Sequence, residues 1–203
     1  MTLVLLDTNT YLRLAKRIRP LLGHKFGQKD YVLTVLSDVE KEVRSSRTLC
    51  DRFSWFDDED FGSERDATRI RLKPDEKTTL EAAQSVLRSY VLSDVDRYTR
   101  GGRHPPSATD CRVLAFGQVR SAIVVTDDLG MHLLAEDFEI PIWHGWELLA
   151  KMKTAKLVDN DLIREIFDAL ERNGDLTVTW KVAKHAEFAR VFNAVKNPSD
   201  GKG

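Results

Sequence analysis

The chain is sparing with the residues that build cross-links, thiolate metal sites and membrane spans. Its two cysteines, Cys50 and Cys111, fall in neither a Cys-x-x-Cys nor a Cys/His zinc spacing, so a zinc framework is excluded and both thiols read as small core residues. Its five histidines include no His-Glu-x-x-His pair, which leaves out that class of metallohydrolase. The longest apolar runs, such as 122–125, are far too short to span a bilayer. The opening Met-Thr-Leu-Val-Leu-Leu-Asp lacks a basic stretch and reaches an acid before any useful apolar length, so no signal peptide is expected and a cytoplasmic location is. A net charge of −1 excludes a wholly basic nucleic-acid binder but not a local basic face.

What is present is the composition of a globular protein, 42% hydrophobic and 31% charged over 203 residues, enough for one full domain and a smaller appended segment. Leu3 to Leu6 is an unbroken apolar run ending in an acid, as expected of a strand buried on both faces. A helix is expected over 8–17, a second strand over 31–36, and a helix from Ser37 to about Leu49, opened by a Ser37-x-x-Glu40 capping box. The polar stretch 51–73, with Asp57-Asp58-Glu59-Asp60 at its centre, reads as an exposed acidic insertion. Pro74-Asp75-Glu76 opens a helix to about Val95, 97–106 is a Gly/Pro loop, and Ser107 caps a helix to Arg120. A buried strand at 122–126, a helix at 129–135, a short strand at 140–143 and a helix from 146 complete an alternation that implies a parallel sheet of about four to five strands in a three-layer α/β/α domain. The expected division is 1–153 for this domain and 154–203 for an appended helical segment, with helices at 159–172 and 183–195.

Ligands of open parallel sheets bind at the carboxyl ends of the strands, so acids placed there carry information. Asp7 directly follows the first strand, Asp127 and Asp128 follow the 122–126 strand, and Glu40 and Glu42 follow the second. Asp110 lies in the first turn of the helix that feeds the 122–126 strand. Carboxylates gathered in one cleft repel each other and resist ionisation unless a hard divalent cation neutralises them. Each acid also has a plainer reading: Asp7 as a helix N-cap, Asp110 as the acid of a Ser107 capping box, Asp127 as a cap or supporting acid.

Leu5-Leu6-Asp7-Thr8-Asn9 resembles the opening of PIN-domain nucleases. Val39-Glu40-Lys41-Glu42-Val43 resembles their second motif, Ser107-Ala-Thr-Asp110-Cys-Arg-Val-Leu-Ala115 their third, and Val125-Thr126-Asp127-Asp128-Leu-Gly-Met131 their fourth, with Met131 in the place of the usual aromatic. The resemblance spans residues 3 to about 152 and implies a PIN-like fold. It assigns Asp7, Glu42, Asp110 and Asp128 as catalytic and metal-holding acids for Mg²⁺ or Mn²⁺, with Asn9, Thr126 and Asp127 supporting them. Glu40, already given a capping task, is set aside in favour of Glu42.

The chemistry that follows is metal-assisted hydrolysis of a phosphodiester with no side-chain nucleophile. The resemblance implies RNA as substrate, with 5′-phosphate and 3′-hydroxyl products. It also brings VapC-like toxin ribonucleases into view, and with them an antitoxin protein as partner; a homodimer is compatible, though no interface stands out. Arg13, Arg17, Arg100 and Arg103 are candidate contacts to RNA phosphates. Two other readings compete. A catalytically inert binding or scaffold protein in RNA processing would keep the fold without the metal. A haloacid-dehalogenase-type phosphatase would use Asp7 as nucleophile, but its proton-transfer acid would fall where Asn9 stands, and Glu42 and Asp110 would have no task.

Overall fold

The computed structural model describes residues 1–100 and 104–193. The chain divides into two compact units, Met1–Trp143 and His144–Gly203.

Five strands of the first unit form one sheet: β1 (Thr2–Leu6), β2 (Lys25–Phe26), β3 (Tyr31–Thr34), β4 (Ile123–Val125) and β5 (Ile142–Trp143), in the order β2-β3-β1-β4-β5. β3, β1, β4 and β5 run parallel, and only the edge strand β2 is antiparallel to its neighbour. Val4, Leu5 and Leu6 are all fully buried. A strand covered on one face alone would alternate, so helices must lie on both faces, giving the α/β/α layering. These helices are α1 (Thr8–Leu14), α2 (Ser37–Ser45), α3 (Arg47–Arg52), α4 (Glu59–Ala67), α5 (Pro74–Ser93), α6 (Val95–Tyr98), α7 (Ala108–Val119) and α8 (Leu129–Asp137). The core joins Leu80, Leu87 and Val91 of α5 to Cys111, Leu114 and Phe116 of α7 and to Met131 and Leu134 of α8. Each such side chain withdrawn from water contributes about 1.5–3 kcal/mol before chain entropy is charged against it.

The chain reverses its direction of travel across the sheet at β1, with β3 on one side and β4 on the other. The register pairs Leu5 with Thr34 and Leu6 with Val125, and the Asp7 amide donates to the Val125 carbonyl at 3.1 Å. Asp7 and Thr126 are thereby neighbours at the carboxyl ends of adjacent strands, at the point where such sheets open a crevice.

Several local expectations are corrected. Ser37 does not cap α2: the helix begins at Ser37 itself behind Leu36, and no side chain caps it. Glu40 instead turns to arginines from 65 and 69, because α4 lies close enough to supply them. The stretch 51–73 is not an exposed loop. Trp55 and Phe56, in a 3₁₀ turn, and Phe61 and Arg65, on α4, are buried. The aromatic residues outweigh the acidic run, which remains on the outer side. The first helix ends at Leu14 rather than Arg17, and the helix begun at 37 breaks at Ser46, whose hydroxyl caps α3 by accepting from the Leu49 amide.

The second unit holds α9 (Gly145–Thr154), α10 (Asn160–Arg172), α11 (Val178–His185) and α12 (Ala189–Asn193). Asp159 caps α10 by accepting from the Leu162 amide at 2.8 Å. Phe167 meets the rings of Trp180, Phe188 and Phe192 at centroid distances of 5.2, 5.3 and 5.1 Å. The Leu176-to-Trp180 stretch, expected as a spacer, starts α11 because Trp180 is needed in this core. No helix among the described residues is long and apolar enough to cross a membrane.

Candidate acidic site

Asp7 leaves β1 in extended backbone and caps α1, its Oδ1 accepting from the Thr10 amide at 2.6 Å. Its Oδ2 accepts from the Thr126 hydroxyl at 2.5 Å. The same Thr126 oxygen accepts from the Asp128 amide at 3.1 Å, so one hydroxyl ties the ends of β1 and β4 together. Asp128 in turn caps α8, its Oδ1 accepting from the Met131 amide at 2.9 Å. Gly130 is required in that first turn: a Cβ there would stand 2.4 Å from the Tyr98 carbonyl oxygen.

Glu42 reaches the same region from α2. Its Oε2 accepts from the Thr8 hydroxyl at 2.5 Å, next to Asp7 in the chain. Asp110 stands in the first turn of α7 in the expected capping box: its Oδ2 accepts from the Ser107 amide at 2.8 Å, while the Ser107 hydroxyl accepts from the Asp110 amide at 3.1 Å.

The electrostatics link these acids. Burial pushes the Asp7 carboxyl up to about 6, although the Thr10 and Thr126 hydrogen bonds and the Arg13 charge pull it down. Glu42 is raised by burial and further by the Asp110 charge, against the Thr8 bond. Asp110 is raised by burial and further by the Asp128 charge, against its Ser107 bonds. Glu42 thus feels the Asp110 charge and Asp110 that of Asp128, while Asp7 is joined to the Asp128 backbone through the Thr126 hydroxyl and precedes Thr8, the partner of Glu42. No lysine, arginine or histidine forms an ion pair with Asp7, Glu42, Asp110 or Asp128 among the described residues.

The remaining expected residues are placed as follows. Asp127 is buried and ion-paired with Arg13 at 2.9 Å, so that acid is neutralised within the protein and Arg13 is drawn inward. Asn9 is exposed in the first turn of α1. Arg17 is half-buried, with Nη1 3.5 Å from the Arg13 carbonyl, and Arg100 is exposed. Arg103 lies outside the described residues. Thr8 was not anticipated as a partner of Glu42; as a first-turn helix residue it carries no signal that would have singled it out.

The donor set is all oxygen, the set preferred by hard cations such as Mg²⁺ and Mn²⁺. Glu42 Oε1, Asp110 Oδ1 and Asp128 Oδ2 each lack a hydrogen bond among the described residues, while the partner oxygen of each carboxylate is engaged. With these side-chain rotamers, no three acidic, histidine or cysteine groups among the described residues stand together at ligand distance. Chemically the residues fit a hard cation; closing on one requires rotamer shifts of side chains now turned to their caps.

Compared with known proteins, the chain matches no family model and no curated protein. It is similar to a solved structure described as the crystal structure of FitAcB from Neisseria gonorrhoeae, at 16% identity and a TM-score of 0.43, with 70% of this chain and 98% of that chain covered.

Proposed function

We propose that this chain is a PIN-type endoribonuclease dependent on Mg²⁺ or Mn²⁺, with Asp7, Glu42, Asp110 and Asp128 holding the metal. The observation that carries the reading is a set of four carboxylates from four elements, linked in turn by charge and by the Thr126 and Thr8 hydroxyls at the switch point of a parallel sheet, with no ion-pairing cation among the described residues. Elsewhere the molecule does neutralise its buried acids, Asp127 with Arg13 and Glu40 with arginines. An acid cluster left charged and uncompensated costs stability, which argues for a use that requires it.

A bound divalent ion would supply an activated water and neutralise charge developing on the phosphate. The chain's own residues do the rest. Thr126 fixes the rotamer of Asp7 and the backbone of Asp128; Thr8 orients Glu42; the Arg13–Asp127 pair holds the segment ahead of α8 against α1. The substrate proposed is RNA, cut to leave a 5′-phosphate. A toxin role with an antitoxin partner, a homodimer and a cytoplasmic location are consistent extensions that rest on the PIN resemblance of the motifs.

Cleavage of single-stranded RNA in Mn²⁺, wild type against Asp7→Asn, tests the reading. A loss of at least about 100-fold is expected, because the variant removes a group that positions the reacting centre. Equal cleavage by the two proteins would remove it. The inert binding reading draws on the absence of three acids at ligand distance. Calorimetry with Mn²⁺ decides between them: heat of binding lost in Asp7→Asn supports the nuclease, and no heat in either protein supports the binding module.

A further inference from the structure

A second feature lies beside the acids. A cleft of about 480 Å³ opens between α2, the 70–72 segment, α5 and α7, and its charged lining is Lys41, Arg71, Lys77 and Arg112 against Asp38 and Glu81. Two cations in excess stand there on a chain whose net charge is −1. Asp38 is already occupied, with Arg112 Nε at 3.0 Å and Lys41 Nζ at 3.6 Å. Arg112 is further fixed by donating to Gln84 Oε1 at 3.0 Å. Arg71 and Lys77 are exposed, and their side chains make no ion pair or hydrogen bond among the described residues.

Position gives this charge a meaning. Asp38 and Glu42 lie one turn apart on α2, a rise of about 6 Å, and Arg112 lies two residues beyond Asp110 on α7. The Asp38–Arg112 bridge ties together the two helices that present Glu42 and Asp110. The cleft therefore shares with the acids the two helices, α2 and α7, that carry Glu42 and Asp110. Of its apolar lining, Val35, Leu36, Leu80 and Phe116 are at most 6% exposed, and only the half-buried Ile70 and Leu72 offer a peptide surface on which to anchor an apolar side chain. The exposed charges are Lys41, Arg71 and Lys77 against Glu81 alone, an excess of cations of the kind that grips phosphate oxygens.

Resting on the nuclease reading above, we propose that this cleft is a phosphate-binding subsite. In it Arg71 and Lys77, with Lys41 and Arg112 behind them, hold the RNA backbone next to the phosphate presented to the acids. Such contacts orient the strand and add affinity without reading bases.

Anisotropy titration of a labelled single-stranded RNA across a salt series, without divalent ions, tests it on three proteins: wild type, Arg71→Glu/Lys77→Glu, and a control, Lys29→Glu/Lys181→Glu, with the same change in net charge. The cleft variant should bind about tenfold or more weakly, with a salt slope smaller by about 1.4 for two lost contacts, and the control should stay within about twofold of wild type. The proposal is overturned if the cleft variant binds like wild type, if the control loses as much, or if wild type binds no RNA. It is also overturned if RNA binding persists while an acidic peptide loses its affinity, which would assign the cleft to a protein partner. Failure here leaves the nuclease reading standing, since that falls only with the Asp7→Asn cleavage comparison.

Discussion

Two faces of one helix handle negative charge in opposite ways. Glu40 and Glu42 sit two residues apart on α2, so they point to different neighbours. Glu40 faces Arg69 at 3.0 Å, Arg44 at 3.7 Å and Arg65 at 3.8 Å. Arg65 is itself buried, its guanidinium 3.9 Å above the Phe56 ring and donating to the Tyr11 hydroxyl at 3.1 Å and the Phe56 carbonyl at 2.9 Å. Glu42 meets a hydroxyl and another acid. On the first face the fold supplies its own counter-charge and uses it to fasten α4 to α1 and α2. On the second, among the described residues, the direct partners are neutral donors and no cation forms an ion pair.

The comparison breaks most visibly at Arg65. Arg65→Met removes the buried cation, leaves the Tyr11 hydroxyl and the Phe56 carbonyl without its donation and takes one of three arginines from Glu40, at a cost of about 3–5 kcal/mol. Urea unfolding measures it. The double variant Glu40→Gln/Arg65→Met should lose less than the two single losses combined, since the Glu40–Arg65 interaction removed by each single change is then counted once. A loss below about 1 kcal/mol for Arg65→Met would mean that this face is not held by its charges.

On the other face the sign reverses. Burial holds Asp7 at about 6 in the folded protein against an ordinary 3.8. A carboxyl raised by folding stabilises the fold only while protonated: the contribution is complete below about pH 3.8 and is lost as pH climbs through about 6. Two units at about 1.36 kcal/mol each put the loss near 3 kcal/mol. Asp7→Asn escapes that loss but turns an amide nitrogen toward one of the two donors, forfeiting about 1 kcal/mol. The variant should therefore be more stable than wild type by about 2 kcal/mol above pH 6, and the advantage should vanish and turn to a small deficit as pH falls below about 4. Unfolding across that range checks it, and millimolar Mn²⁺ should reverse the order at neutral pH by stabilising wild type alone. Equal stability at neutral pH would show that Asp7 is compensated within the protein, as Glu40 is.

These contrasts mark what could be read from residues alone. The parallel sheet was legible because Leu3 to Leu6 and 122–126 are apolar without alternation, and a both-faces-buried strand has no other signature. Asp7, Asp110 and Asp128 were legible as helix-end residues because each follows a strand or opens a helix, and each was found in its cap. The choice of Glu42 over Glu40 had the wrong reason behind it: Glu40 has a structural task, but with arginines on α4 and its flank rather than with Ser37. That partner is 29 residues away in sequence, and pairing at such a distance leaves no local trace. The same holds for 51–73, where acidic content suggested solvent while the spacing of Trp55, Phe56 and Phe61 served a core assembled from α1. The Arg71–Lys77 cleft was invisible for the same reason, since its four cations come from four separate segments of the chain.

The smallest effect sharpens the comparison most, because the Thr126 hydroxyl braces two of the acids at once. Thr126→Val keeps the shape at a fully buried position and removes one hydroxyl. That hydroxyl donates to Asp7 and accepts from the Asp128 amide, so its loss leaves a buried carboxylate oxygen and a backbone N–H each one bond short. The expected cost is about 1–2 kcal/mol in unfolding. Since the brace fixes the Asp7 rotamer and the Asp128 backbone, Mn²⁺ affinity should fall about 10–100-fold, the range for outer-shell partners of a metal site. The two readouts separate structure from function. A stability loss with unchanged Mn²⁺ affinity would mean that Thr126 serves packing alone and that Asp7 finds its orientation from the α1 cap. A fall in affinity larger than the stability loss converts to would show that the hydroxyl's main task is to aim carboxylates.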